Sequence, residues 1–151
     1  MEILGIDVGG SGIKGAPVNL ESGEMTAERF RLPTPEGGKP QEMAVIVADV
    51  ARHFDWKGSI GVGFPAAVRD GIVLTAANID ASWIGTNVEM LFQQKSGCKS
   101  YVANDADVAG FAEMAFGAGK NQRGVVLVIT LGTGVGTAIF VNGILVPNTE
   151  L

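Results

Sequence analysis

The hydrophobic positions of this chain fall into short apolar runs set between glycine-rich breaks, with two longer stretches of helical spacing. Ile3-Leu4-Gly5-Ile6-Asp7-Val8 predicts a strand, and a second apolar stretch over 13–20 follows directly after Gly9-Gly10-Ser11-Gly12. Glu21-Ser22-Gly23-Glu24 signals a turn, and residues 25–32 predict a third strand. Pro33, Pro35, Gly37, Gly38 and Pro40 mark a loop, with Pro40 acceptable in the first turn of a helix. Met43, Ile46, Val47, Val50 and Phe54 then recur at helical spacing. Beyond them come a buried strand over 59–64, another over 71–75, and an irregular segment over 76–85 that carries Asn78 and Trp83. Asn87 is placed to cap a helix over 88–95, with Gly97 as its stop. A strand over 100–103 ends at Asn104-Asp105, and Val108, Phe111, Ala112, Ala115 and Phe116 form the second helical stripe, broken at Gly117-Ala118-Gly119. The most hydrophobic strand, 125–131, runs into Gly132-Thr133-Gly134-Val135-Gly136 and then 137–141, before Asn142-Gly143 turns the chain into 144–146.

The fold class is therefore α/β with mixed strands. One arrangement occurs twice, over 3–20 and over 125–141: a buried strand ends in a glycine-rich turn and a second strand follows at once. The 22 glycines among 151 residues show no G-X-Y period and no low-complexity tract, which excludes collagen and a disordered linker. With 11 basic and 16 acidic residues the net charge is −5, and no basic block exists to form a nucleic-acid surface. The lone Cys98 rules out an internal disulfide framework and reads as a packing or surface residue. No apolar run reaches the roughly 20 residues of a membrane span, and the start of the chain lacks signal-peptide features, so the expected location is the cytoplasm. His53, at the end of the first helical stripe, reads as a C-terminal cap.

Gly10, Gly12 and Gly15 match G-x-G-x-x-G, but a dinucleotide loop must open a helix whose free amides hold the pyrophosphate. The stretch 13–20 has β-type residues, Pro17 and no helical stripe, so that reading fails. Neither loop contains a Walker sequence. What remains is a tight glycine turn between antiparallel strands, open either to a plain hairpin or to phosphate binding through backbone N–H groups. Two such turns, one following Asp7 and the other among Thr130, Thr133 and Thr137, favour phosphate. An aspartate beside a phosphate loop needs a cation between them, so Asp7 is a candidate for orienting Mg²⁺, directly or through water. Its other open role is a turn-capping carboxylate.

These residues carry a family resemblance. Asp7-Val8-Gly9-Gly10-Ser11-Gly12-Ile13-Lys14-Gly15 resembles the first phosphate motif of sugar kinases in the actin-like ATPase superfamily, and Leu131-Gly132-Thr133-Gly134-Val135-Gly136 resembles the second. Asn104-Asp105-Ala106-Asp107 between them resembles the Asn-Asp signature of the ROK family (repressors, uncharacterised frames, sugar kinases). The three motifs stand in family order along the whole chain. Gly9 to Ala16, and the tail Val146-Pro147-Asn148-Thr149-Glu150-Leu151, are closer to the polyphosphate-using glucokinases of that family. Gly63-Phe64-Pro65-Ala66 departs from the family's Gly-x-Pro-Gly.

The resemblance implies a ribonuclease H-like, actin-like ATPase fold: a mixed sheet with flanking helices. It implies transfer of a phosphoryl group from polyphosphate, ATP or both to the 6-hydroxyl of glucose, with Mg²⁺ and without zinc in this segment. Asp105 corresponds to the general base; a helix N-terminus favours an ionised carboxylate, and the alternative for Asp105 is the N-cap of the helix over 106–116. Asn104 and Glu150 correspond to sugar-binding residues, and Asn78 is a further candidate whose alternative is a turn role. Gly9, Gly10, Ser11, Gly12, Lys14, Gly132, Thr133 and Gly134 are the expected phosphate contacts, Lys14 alternatively being a solvated lysine. Arg69, Lys120 and Arg123 could join Lys14 in a groove for a polyanion. The implied partners are glucose and the phosphoryl donor, with neither nucleic acid nor membrane, and a homodimer in a full-length protein.

Competing readings are a ROK kinase for fructose or an N-acetylated sugar, a ROK regulator, and a non-catalytic actin relative. A repressor would carry a helix-turn-helix ahead of the first loop, where only Met1 to Ile6 precede Asp7, and a non-catalytic relative should lack the acid at 105. The family continues Glu-x-Gly-His where this sequence stops at Leu151. Residues 1–117 are thus expected to be one lobe and 118–151 the start of a second, with no kinase activity in the 151 residues by themselves.

Overall fold

A computed structural model describes residues 1–132 and 134–149. Alternation along β1 (Glu2–Val8) turns Leu4, Ile6 and Val8 into the interior and leaves Asp7 on the exposed face. β2 (Ile13–Asn19) returns antiparallel, with Val8 opposite Ile13 and Asp7 opposite Lys14, so residues 9–12 make the whole reversal. β3 (Phe30–Leu32) pairs antiparallel with β2 and sets Arg31 opposite Lys14. The strand expected over 25–32 contracts to these three residues and an isolated bridge between Met25 and Val18. Residues 26–29 offer only exposed side chains, with no apolar alternation to bury.

By its internal contacts the chain divides into two units, Met1–Ala103 and Asn104–Leu151. The sheet of the first unit has the order β3-β2-β1-β4-β7, with β4 (Ile60–Phe64) parallel to β1 and β7 (Ser100–Asn104) running up to the boundary. α1 (Pro40–His53) begins with its proline in the first turn, as expected, and buries Met43, Val47 and Val50. Gly15 makes its packing possible: a β-carbon there would stand 2.6 Å from Val50 Cγ1. The third glycine of the apparent dinucleotide string is thus a contact point between α1 and β2. His53 is not the cap. Phe54 takes that position, while the His53 ring stacks on Phe30 with centroids 3.7 Å apart.

Between the main strands, β5 (Val68–Arg69) and β6 (Ile72–Val73) form a hairpin around Asp70-Gly71, both with left-handed φ, where a single strand over 71–75 was expected. A 3₁₀ turn over Ala81–Trp83 buries Trp83 completely, and its ring meets Phe64 and Phe92 with centroids 4.7 and 6.1 Å away. α2 (Val88–Ser96) starts at Asn87, whose side chain accepts from the Met90 N–H, and stops at Gly97 with φ of 75°. Cys98 is buried and its thiol faces the Trp56 carbonyl.

The second unit contains α3 (Asp105–Phe116) and a three-stranded antiparallel sheet, ordered β10-β9-β8, of β8 (Val125–Leu131), β9 (Val135–Val141) and β10 (Ile144–Val146). The stripe read from the sequence is not the face that α3 buries. Val108, Phe111 and Phe116 are exposed, whereas Ala106, Asp107 and Gly110 are buried. Small residues let the helix lie close on the sheet, and a β-carbon at Gly110 would meet the Phe140 ring at 2.7 Å. One face of β8, formed by Val125, Leu127, Ile129 and Leu131, is exposed as well.

Candidate functional site

The reversal between β1 and β2 is closed by the Gly9 N–H, which donates to the Gly12 carbonyl at 3.1 Å. Two side chains from further along the chain hold two more of its carbonyls. Thr34 Oγ1 donates to Gly9 O at 2.5 Å, and Arg31 Nη2 donates to Ser11 O at 2.7 Å. The exposed Gly10 and Ser11 keep their N–H groups, which donate to no acceptor among the described residues. With three of its four carbonyls tied back and the Gly10 and Ser11 N–H groups facing solvent, the loop offers the donors that an anion would need. Lys14, expected to contact phosphate, is engaged at its base: its Nζ lies 3.3 Å from Asp7 Oδ2, directly across the hairpin. Both ends of that pair are partly solvated, so it is a weak bridge.

Beside the loop, the first unit holds a cavity of about 560 Å³ lined by Gly9, Gly10, Thr34, Glu36, Asn78 and Asp80, among others. Asn78 and the first glycine loop, far apart in sequence, thus open onto one space. The far wall is anchored by Trp83, whose Nε1–H donates to the Gly38 carbonyl at 2.8 Å. Asp80 caps the 3₁₀ turn, and the hydrogen bonds it accepts from the Ser82 hydroxyl and backbone N–H hold its carboxyl below the usual carboxylate range. The wall therefore presents carboxylates and an amide, acceptors suited to hydroxyl groups.

In the second unit, Asn104 and not Asp105 is the N-cap of α3. The Asn104 side chain accepts from the Ala106 and Asp107 N–H groups at 2.9 and 3.1 Å, and Asp105 is the first helical residue. Asp105 Oδ1 also accepts from the Ala106 N–H at 2.8 Å. Asn104 is 1% exposed, so its side chain is held in the capping geometry. The second glycine turn links β8 to β9, with the Gly132 N–H donating to Gly134 O at 2.9 Å; Thr133 lies outside the described residues. Thr137, buried, donates to the Thr149 carbonyl at 2.6 Å, and Asp107 Oδ2 accepts from the Asn148 N–H at 3.0 Å. These two bonds fix the segment that leads to Glu150, itself outside the described residues.

No group of three or more His, Cys, Asp or Glu residues forms a metal site among the described residues. Asp7 is a single, half-solvated carboxylate. That donor set fits Mg²⁺, which keeps several waters and takes its other ligands from substrate phosphates. No helix among the described residues is long and apolar enough to cross a membrane. Sequence reading missed Arg31, Thr34, Glu36 and Asp80 as site residues. Their roles come from pairing and loop placement, for which the sequence carries no local signal.

Residues 3–147 match the ROK family. A polyphosphate glucokinase of Mycobacterium tuberculosis is 48% identical over 97% of this chain, which covers 56% of that protein. The crystal structure of an inorganic polyphosphate/ATP-glucomannokinase from an Arthrobacter strain superposes with a TM-score of 0.91 at 44% identity, over 99% of this chain and 62% of that one. A ROK family glucokinase from Streptomyces griseus, solved with glucose and AMPPNP, superposes with a TM-score of 0.78 at 32% identity, over 96% of this chain and 46% of that one. The chain spans about half the length of the curated relatives it matches. Its architecture, a mixed sheet with flanking helices, is that of the actin-like ATPase fold of these sugar kinases.

Proposed function

The chain belongs to the ROK family, and on that footing we propose that it supplies the donor-binding and proton-accepting part of a glucose kinase. The kinase transfers a phosphoryl group from polyphosphate, ATP or both to the 6-hydroxyl of glucose. The observation that carries this reading is the division of labour at the start of α3. Asn104 provides the cap, so Asp105 is not required for it and can serve as the base that accepts the hydroxyl proton. The loops at Gly9–Gly12 and Gly132–Gly134 supply backbone donors to the phosphates. Asp7 would hold Mg²⁺, directly or through water, and the ion would supply positive charge against the phosphates. Asn78, on the cavity wall beside Gly9, is proposed to orient sugar hydroxyls in the first unit, and the same role is proposed separately in the second unit for Glu150 and for the amide nitrogen of Asn104, whose Oδ1 caps α3. A first lobe over 1–117 and the start of a second over 118–151 are proposed from the break after α3, although by internal contacts α3 groups with the residues that follow it.

Donor use is tested on a chain joining these 151 residues to the C-terminal remainder of the Mycobacterium tuberculosis relative. Glucose phosphorylation is followed with polyphosphate and with ATP at equal phosphoryl concentration. Turnover with polyphosphate is the expected result. Turnover with ATP alone would remove the polyphosphate assignment, and phosphorylation of fructose or an N-acetylated hexosamine in preference to glucose would remove the substrate assignment.

A further inference from the structure

Three charged side chains stand in one row across the exposed face of the first sheet: Asp7 on β1, Lys14 opposite it on β2, and Arg31 opposite Lys14 on β3. Lys14 gives one of its donors to Asp7 in a partly solvated bridge. Arg31 has no carboxylate partner among the described residues, and its one hydrogen bond goes to Ser11 O. A guanidinium has five N–H donors, so four remain. The group lies flat against the α-carbon of Gly12, where a β-carbon would stand 2.5 Å from Nε, 2.6 Å from Nη2 and 2.7 Å from Cζ. Any side chain at position 12 would therefore displace it. The glycine and the Ser11 carbonyl together dock a cation on the phosphate loop, next to the undonated N–H groups of Gly10 and Ser11.

We propose that Arg31 is the charged contact of the first loop for a phosphate of the phosphoryl donor, a role for which Lys14, whose ammonium bridges Asp7 across the hairpin, is less suited. A planar, permanently charged fork suits the paired oxygens of a phosphate chain better than a lysine already held by a carboxylate. The inference rests on the assignment of the Gly9–Gly12 loop to donor phosphates, and the experiment separates the two.

The 151-residue protein is titrated with sodium tripolyphosphate at low salt while its backbone amides are followed by NMR. In the wild type the Gly10 and Ser11 amides shift. Arg31→Gln keeps a polar side chain but not the charge, and its affinity falls about tenfold, the scale of one charge-assisted hydrogen bond. Lys14→Gln loses no more than about threefold, in keeping with an exposed paired charge, and Arg31→Lys recovers part of the loss. Affinity of Arg31→Gln within twofold of the wild type overturns the role of Arg31 alone. Unmoved Gly10–Gly12 amides in the wild type overturn the loop assignment and this inference with it. A second measurement needs no variant: tripolyphosphate is expected to shield Arg31 of the wild type from phenylglyoxal, read by peptide mass spectrometry. Undiminished labelling at saturating tripolyphosphate contradicts the proposal.

Discussion

Gly12 and Gly15 stand three residues apart and are glycine for different reasons. Gly12 makes room for the Arg31 guanidinium on the exposed face, and Gly15 makes room for Val50 of α1 on the buried one. Gly15→Ala forces a backbone-borne carbon against Val50 and is expected to cost about 1–3 kcal/mol of stability, read as a lower urea midpoint with little change in slope. A midpoint equal to the wild type would show that α1 yields at no cost. Trp83→Phe keeps most of the ring contacts but leaves the Gly38 carbonyl without its donor. A loss of about 1–3 kcal/mol is expected, together with faster hydrogen exchange in residues 34–38, the loop on the cavity wall. Unchanged exchange there would mean that Trp83 does not hold the loop. The sequence singles out the glycine strings and Asp105 at the ends of apolar runs, Asp7 as an acid within an apolar strand, and Asn78 in the irregular segment before Trp83. It does not distinguish the loop glycine Gly12 from the packing glycine Gly15, because spacing is silent about which face of a strand a helix covers.

Among the elements, those bounded by local chemistry are legible and those bounded by tertiary contact are not. α2 is readable at both ends because Asn87 and Gly97 act within one turn of themselves. Asp70-Gly71 is an equally local signal, for the turn that pairs Val68–Arg69 with the start of the segment over 71–75. α3 is misread by its pattern: its large apolar residues are exposed and its small ones are buried, since approach to Phe140 and Ala138 at Gly110 decides the interface. Its start is also subtler than the sequence shows, with two adjacent residues of capping type and the first of them chosen. Asn104→Ala is therefore expected to destabilise α3 by about 1–2 kcal/mol, seen as faster amide exchange over its first turn, whereas Asp105→Ala should cost less. Equal losses would contradict the assignment of the cap. Phe140→Ala, in a fully buried position beneath α3, should cost its unit about 3–5 kcal/mol. Leu131→Lys, at a position 81% exposed, should stay within about 0.5 kcal/mol.

For the whole molecule, what the chain can do is bounded by what it spans. It covers about half of the relatives it matches. A sugar kinase of this fold closes two lobes over its substrates to exclude water. The 151 residues alone are accordingly expected to bind tripolyphosphate at the first loop and to turn over no glucose; steady formation of glucose 6-phosphate by the isolated chain would contradict this. The fold class and the order of the motifs were readable from the sequence because strand–glycine turn–strand repeats at both ends of the chain. The cavity beside the first loop was not, because Thr34, Asn78 and Asp80 meet there only through the folding of the first unit. The most direct test is the effect of Asp105→Asn on the chain joined to the Mycobacterium tuberculosis remainder, with glucose binding and phosphoryl transfer measured on the same preparation. Glucose binding close to that of the parent with turnover lower by about 10²–10⁴-fold is the predicted result, and turnover within a few-fold of the parent would contradict the role of Asp105 as the base.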